Sequence, residues 1–244
     1  MKVESLSSTR DALLLVEGPL LLEPRVFGDD RGFFFESWNK QAFQGALVEA
    51  GYSPEEAIAI EFFQDNHSCS SRGVLRGLHY QLEPEPQGKL VRCSMGAIFD
   101  VAVDLRLSSK TFGHWVAAEL SAENQQQLWL PVGFAHGFLA LSDTVEVQYK
   151  ASGFWNKSCE RSLRWDDPQL AIAWPLDRVD MKQPLLADKD AALSEVQKDC
   201  DWLKQNEAKL EKELAQSEHL RLHHEGESKS SSDQIDEMEA ELQE

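Results

Sequence analysis

The stretch Ala97-Ile98-Phe99-Asp100-Val101-Ala102-Val103-Asp104 is one of several short runs with the composition of a β-strand. Runs of the same kind, punctuated by turn residues, lie on both sides of it, at Gly32–Glu36, Lys89–Cys93 and Val145–Tyr149. Many such runs without an alternating helical pattern favour an all-β sandwich or barrel of the jelly-roll type. Between about Leu20 and Trp174, only Lys40–Ala50 has apolar residues at helical spacing, and we expect this peripheral helix to pack outside the barrel.

Composition limits the class of protein and of ligand. The chain has 244 residues, of which 42% are hydrophobic and 27% charged, which is enough for one good-sized core and an appendage. A formal net charge of −18 argues against nucleic acid as a partner, because phosphate binding needs clustered Lys and Arg. An anionic small molecule remains compatible with a locally basic pocket.

Cysteine usage and hydropathy predict the compartment. The four cysteines, Cys69, Cys93, Cys159 and Cys200, form no Cys-x-x-Cys pair, which indicates free thiols in a reducing compartment. The apolar stretch Ala12–Leu22 is broken by Glu17, Gly18 and Pro19, so it is a poor signal peptide. No later run is long enough to span a membrane. We therefore predict a cytoplasmic protein that does not associate with membranes.

The composition changes after about Pro184. Residues 195–244 contain 15 acidic residues and 6 Lys or Arg, a net charge of −9. Apolar residues between Leu193 and Leu214 follow a 3-4 spacing with two polar interruptions, which predicts an amphipathic helix that could pair with a partner helix. We predict two regions, a folded domain over 1–192 and an acidic, helical, partly disordered extension over 193–244. A solvated tail that aids solubility is an equal alternative.

The segment Leu75-Arg76-Gly77-Leu78-His79 contains the first candidate site residues. In a regular strand, Arg76 and His79 would point to opposite faces, unless Gly77 bends or bulges the backbone between them. A bent strand that presents both side chains indicates a functional site. The alternative is a polar strand edge with a satisfied histidine.

Further polar residues are embedded in the predicted β region. Cations, a second His and a Tyr on inward faces would form a polar cavity suited to an anion, because such groups are costly to bury without a ligand or partners. The set comprises Arg31, Glu36, Gln64, Asp65, Asn66, Arg76, His79, Lys89, His136, Tyr149, Lys150, Lys189 and Asp190.

The sequence argues against a metal or a cofactor. Pro131-x-Gly133-x-x-His136 is similar to half of a metal-binding motif, but the residue two positions after His79 is Gln81, so a divalent metal would lack ligands. Glycine-rich nucleotide loops and the Gly-x-Ser-x-Gly elbow of serine hydrolases are also missing from the sequence.

Acid–base chemistry by side chains remains. His79 is the natural base, because His is the side chain whose unperturbed pKa lies near neutrality, and a neighbouring carboxylate would fix its tautomer. Tyr149 could supply a proton from the other side of a substrate; the alternative, a core tyrosine with a hydrogen-bonded hydroxyl, is by itself the commoner case. Lys89 or Arg76 could stabilise an oxyanion. This set fits proton abstraction next to a carbonyl, as in an epimerase or isomerase.

Eight motifs, in order from about Leu20 to Ala192, make the chain similar to the dTDP-4-dehydrorhamnose 3,5-epimerase family. They are Gly28-Asp-Asp-Arg31-Gly-Phe-Phe-Phe-Glu36-Ser, Gln64-Asp-Asn66-His67-Ser, Leu75-Arg-Gly-Leu-His79, Gln87-Gly-Lys89-Leu-Val-Arg, Phe99-Asp-Val-Ala-Val-Asp104, Gln127-Leu-Trp-Leu-Pro-Val-Gly-Phe-Ala-His136-Gly-Phe, Tyr149-Lys and Trp165-Asp-Asp-Pro168.

The resemblance implies a cupin-type β-sandwich enzyme that needs no cofactor, is a homodimer and acts on a dTDP-sugar. By motif, His79 removes the C3 and C5 protons, Tyr149 returns a proton from the other face, Asp190 orients the base and Lys89 stabilises the enolate. The resemblance assigns substrate contacts to Arg31, Glu36, Gln64, Asn66, Arg76, His136, Glu160 and Lys189.

Three departures from the family pattern remain. Trp155 stands where family members often have Tyr, and a nucleotide base could still stack on it. The extension after about Ala192 has no counterpart, and residues 1–10, also outside the match, are expected to be mobile. Two other functions stay open: a single-carbon epimerase or ketoisomerase on a related dTDP-sugar, and a non-catalytic sugar-nucleotide binding module with an interaction tail.

Overall fold

The computed structural model of the chain describes residues 1–188 and 190–191. The predicted extension over 193–244 and its helix therefore lie outside the described residues. Within the described part, the strands are β1 (Lys2–Ser7), β2 (Leu15–Glu23), β3 (Phe27–Asp29), β4 (Gly32–Phe34), β5 (Gln64–Ser71), β6 (Leu75–Gln81), β7 (Lys89–Met95), β8 (Ala97–Asp104), β9 (Trp115–Ser121), β10 (Gln127–Leu130), β11 (Phe134–Ala140), β12 (Thr144–Ala151) and β13 (Glu160–Ser162). The helices are α1 (Lys40–Glu49), α2 (Pro54–Ala59) and a 3₁₀ helix at Leu176–Val179.

The strands form two facing antiparallel sheets and a small hairpin. One sheet has the order β1-β2-β10-β7-β12-β5, and the other has the order β13-β6-β11-β8-β9. A cluster of buried side chains from both sheets, including Ile98, Leu128 and Val147, fills the space between them. The predicted all-β sandwich is confirmed. The hairpin β3-β4 pairs only with itself and is exposed.

Each outer face of the sandwich is also covered. The segment from Leu163 to Leu186 packs Trp174 and Val179 against the five-stranded sheet. Helix α1 buries Phe43 and Leu47 on the six-stranded sheet, so the predicted outer helix is confirmed. The short helix α2 is not predicted by the apolar spacing of the sequence.

The beginnings of both helices have local causes. The Asn39 side chain accepts the backbone N–H of Ala42 and so caps α1. Helix α2 begins with a capping box in which Ser53 and Glu56 each accept a backbone N–H of the other, with Pro54 in the first turn. The Ser-Pro-Glu-Glu sequence is therefore the signal that predicts a helix too short for an apolar period.

The N-terminal residues differ from expectation. Residues 1–10 are expected to be mobile, but Lys2–Ser7 pairs with β2 as the edge strand β1. Val3 and Leu6 pack against the core clusters, which gives this segment apolar burial as well as backbone hydrogen bonds.

Candidate active site

A cavity of about 470 Å³ opens between the two sheets. This volume is within the usual range of small-molecule sites. Its walls come from β5, β7 and β12 of one sheet and β6, β11 and β13 of the other. The lining residues are Ser68, Val74, Leu75, Arg76, His79, Lys89, His136, Phe138, Tyr149, Trp155, Glu160, Leu185, Leu186, Ala187 and Asp190.

The bend predicted in β6 brings Arg76 and His79 to the same cavity. Gly77 has φ +122°, and the pairing of β6 with β11 shifts register between His136 and Phe138. A Cβ atom on Gly77 would lie 2.5 Å from a backbone atom of β11, so only glycine fits there. The interruption of the alternation places two side chains three positions apart on one face.

His79 pairs with the buried carboxylate of Asp190. Its Nε2 lies 2.8 Å from Asp190 Oδ1, and the two side chains are 21% and 5% exposed. The segment that carries Asp190 lies beside β6 because Leu185 pairs with Val74, just before β6. The Leu75 N–H donates to the Leu185 carbonyl. A carboxylate at Nε2 holds a proton on that nitrogen, which leaves Nδ1 as the nitrogen that can accept one.

Tyr149 faces the same cavity from the opposite sheet. Burial raises the pKa of its phenol, the Glu160 carboxylate raises it further, and the Arg76 guanidinium opposes the rise. Tyr149 therefore stays protonated at neutral pH and can act as an acid. The Lys89 ammonium lies 5.8 Å from the centre of the Tyr149 ring. Lys89 and Arg76 line the cavity together with the carboxylates of Glu160 and Asp190.

A second His–carboxylate pair lies beside the first. His136 is the register partner of His79 on the neighbouring strand, and its Nε2 lies 2.7 Å from Asp100 Oδ1. Asp100 is fully buried, and its other oxygen has no partner among the described residues. Asp100 is a site residue that was not predicted from the sequence. A carboxylate among the apolar residues of β8 is the signal that could have identified it.

Trp155 and Glu160 form one edge of the cavity, and the β5 amides Gln64 and Asn66 lie next to Trp155 without lining the cavity. Trp155 is 54% exposed, and its indole Nε1–H donates to Glu160 Oε1 at 3.3 Å. The Gln64 side chain accepts the backbone N–H of Trp155 and donates to Asn66. The indole therefore presents an anchored apolar surface beside the cavity.

The structure does not bring every predicted residue to the cavity. Arg31 lies on the exposed β3-β4 hairpin and pairs with Asp29, while Glu36 follows that hairpin and accepts from Asn39. Neither lines the cavity of its own chain. Lys189 lies outside the described residues.

Among residues 1–188 and 190–191, no set of three or more His, Cys, Asp or Glu side chains is placed to hold a metal ion. Nor does any described helix combine the length and the apolar character needed to cross a bilayer.

Comparison with known proteins gives consistent matches. Residues 14–198 match the family model described as dTDP-4-dehydrorhamnose 3,5-epimerase. The Shigella flexneri dTDP-4-dehydrorhamnose 3,5-epimerase is 56% identical over 171 residues, which cover 70% of this chain and 87% of that protein.

Two solved structures show the same fold. The Legionella pneumophila dTDP-6-deoxy-D-glucose-3,5-epimerase RmlC, in complex with dTDP-4-keto-L-rhamnose, is 42% identical with a TM-score of 0.65, and the match covers 78% of this chain and 90% of that one. The Streptomyces bikiniensis 3'-monoepimerase ChmJ, in complex with dTDP-quinovose, is 33% identical with a TM-score of 0.62, covering 79% and 96%.

Proposed function

The chain belongs to the dTDP-4-dehydrorhamnose 3,5-epimerase family, and we propose that His79, Asp190 and Tyr149 carry the reaction of this isomerase. The reaction is epimerisation at C3 and C5 of dTDP-4-dehydro-6-deoxy-D-glucose to dTDP-4-dehydro-L-rhamnose, in dTDP-L-rhamnose biosynthesis. The proposal depends most on one observation. A His–carboxylate pair and a tyrosine enter one cavity from opposite sheets.

Inversion of a carbon centre needs a base and an acid on opposite faces of the sugar ring. A base removes the proton from one face of the sugar ring, and an acid must return a proton to the other face. His79 accepts the proton at Nδ1, because Nε2 already holds one toward Asp190. The Asp190 carboxylate stabilises the imidazolium that forms. Tyr149 then protonates the carbon from the opposite sheet.

The two epimerised carbons share one intermediate type. C3 and C5 both flank the C4 carbonyl, so loss of either proton sends the electron pair of the C–H bond into an enolate at O4. A cation next to O4 lowers the cost of that charge. Lys89 takes this role, since its ammonium lies beside the Tyr149 ring in the cavity. Reprotonation at carbon restores the ketone.

The nucleotide end of the substrate binds at the edge formed by Trp155. The exposed indole offers a face on which the thymine stacks, and Gln64, Asn66 and Glu160 supply polar contacts nearby. Arg76 faces the diphosphate or the sugar. His136, held by Asp100, contacts the sugar.

A homodimer is part of the proposal. The β3-β4 hairpin exposes Phe27, Phe33 and Phe34 at 52%, 62% and 70%, which is a surface that a second copy would cover. A second copy also offers a route by which Arg31 and Glu36, outside the cavity of their own chain, reach substrate. The cytoplasmic location is proposed from the cysteine pattern: Cys69, Cys93 and Cys159 are free thiols.

A single-carbon epimerase is the second candidate, because the 3'-monoepimerase ChmJ has the same fold at 33% identity. Incubation with dTDP-4-dehydro-6-deoxy-D-glucose in D₂O, followed by NMR, separates the candidates. The proposal predicts deuterium at both C3 and C5 and an L-sugar product. Label at one carbon would identify the narrower enzyme. Binding without any label would indicate a non-catalytic module.

A further inference from the structure

Gln81 is a buried amide under the loop that carries Trp155. It lies on β6, two residues after His79, and is only 8% exposed. Its side chain makes three hydrogen bonds to backbone groups. The backbone partners of these three hydrogen bonds lie in two neighbouring loops, residues 82–88 and residues 152–159.

These two loops are joined around Gln81. Its Nε2 donates to the carbonyls of Glu85 and Phe154, the latter at 3.0 Å, and its Oε1 accepts the backbone N–H of Asn156 at 2.7 Å. The bonds to Phe154 and Asn156 hold the residues immediately before and after Trp155. Gln81 therefore fixes the backbone on both sides of Trp155.

Gln87 adds a further bond between the loops, from its side chain to the Gly153 carbonyl at 2.8 Å. A buried amide needs hydrogen-bond partners in any fold. Here, however, the three described side-chain hydrogen bonds of Gln81 all go to the two loops, and the loop 152–159 presents a half-exposed aromatic ring to the cavity. A stacking surface binds a ring more tightly when its orientation is fixed before binding, because less conformational freedom is lost.

We propose that Gln81 is a positioning residue for the nucleotide: it holds Trp155 in the orientation that stacks on the base and so sets the affinity for the dTDP portion of the substrate. This inference rests on the proposed function, because it assumes that Trp155 contacts the base. Gln81 does not line the cavity. Its loss weakens binding and leaves the proton transfers of His79 and Tyr149 unchanged.

The test uses the full-length Gln81→Met variant, which keeps the length of the side chain and removes all three hydrogen bonds. Calorimetry should show about tenfold weaker binding of dTDP, in the range of a lost base–aromatic stack. KM should rise by a similar factor, with kcat within about twofold of the wild type. Val116→Ala controls for general destabilisation and should leave dTDP affinity unchanged. Val116 is a core residue on β9, an edge strand separated from β6 by β11 and β8.

A double-variant cycle shows whether Gln81 acts through Trp155. In the Trp155→Ala background, Gln81→Met should cause no further loss of dTDP affinity, because the surface it positions is gone. Additive losses, or an unchanged dTDP affinity in the single variant, would overturn the inference. Amide hydrogen exchange of residues 153–157 in the ligand-free protein should rise in Gln81→Met, and unchanged exchange would also overturn it. The dTDP affinities and the hydrogen exchange do not depend on turnover, so failure of the wild type to epimerise would count against the proposed function alone.

Discussion

Replacement of Asp190 by Asn tests how much the carboxylate contributes to the base. Asn has the same shape and can keep the 2.8 Å contact with His79 Nε2, so the change removes charge with little loss of volume. The Asp190 side chain is only 5% exposed, so water cannot replace the lost charge. A hydrogen bond to a charged group contributes about 1.5–3 kcal/mol, against roughly 1 kcal/mol for a neutral one.

The attraction between the carboxylate and the imidazolium adds to this loss. For unit charges about 4 Å apart at an effective dielectric of 20, it is about 4 kcal/mol. Only the attraction that develops during proton transfer affects the rate. We take about 3–4 kcal/mol for the loss of this attraction and of the charged hydrogen bond together. This corresponds to a decrease in kcat of about 10²- to 10³-fold, with KM little changed, because His79 and not Asp190 touches the reacting carbon.

The assay is the initial rate of deuterium incorporation at C3 and C5 at saturating substrate, with circular dichroism to confirm folding. Asp188→Asn is the matched control, because it removes the same charge from an exposed residue two positions earlier in the chain. Its rate should stay within about twofold of the wild type. An Asp190→Asn rate within threefold of the wild type, or an equal loss in the control, would refute this assignment.

Three further outcomes follow from the structure. Gly77→Ala should lower the unfolding free energy by about 3 kcal/mol or more, measured by denaturant titration, because its Cβ would lie 2.5 Å from the backbone of β11. Burial opposes ionisation of Asp104, but hydrogen bonds from Arg106 and two hydroxyls outweigh it and lower its pKa to about 2. Because the pKa of Asp104 in the folded protein is below its ordinary value of 3.8, this stabilisation, about 2 kcal/mol, is present above pH 4 and is lost as the pH falls toward 2. Asp104→Asn should remove that part of the pH dependence of stability. Burial and then Glu160 raise the pKa of Tyr149, so Glu160→Gln should move the alkaline limb of the kcat profile to lower pH, and an unmoved limb would contradict the acid role of Tyr149.

Local sequence patterns predicted much of the fold. The run Ala97–Asp104 is strand β8 with the same bounds, and Leu75–Gln81 is strand β6. The run Ala97–Asp104 is recognisable because burial on the sheet faces selects β-branched and apolar residues, here Ile98, Val101 and Val103. Helix α2 was missed because six residues are too few for an apolar period, and its capping box is the only local signal.

The site was harder to predict than the fold. His79 and Tyr149 were identified by residue type, but their approach from opposite sheets depends on strand order and register, which a single sequence does not specify. Gln81 was considered only as a missing metal ligand, whereas its hydrogen bonds depend on two loops distant in sequence. The partnership of His136 with Asp100 likewise requires the pairing of β8 with β11.

The central claim is that proton removal and proton return are performed by different residues on opposite faces of the sugar. Deuterium exchange and net inversion, followed by NMR in the same D₂O sample, separate these steps in the His79→Ala and Tyr149→Phe variants. The account predicts that His79→Ala loses exchange at both carbons while remaining folded, and that Tyr149→Phe retains exchange but forms little L-sugar. Near-normal exchange in His79→Ala, or a normal yield of L-sugar in Tyr149→Phe, would contradict it.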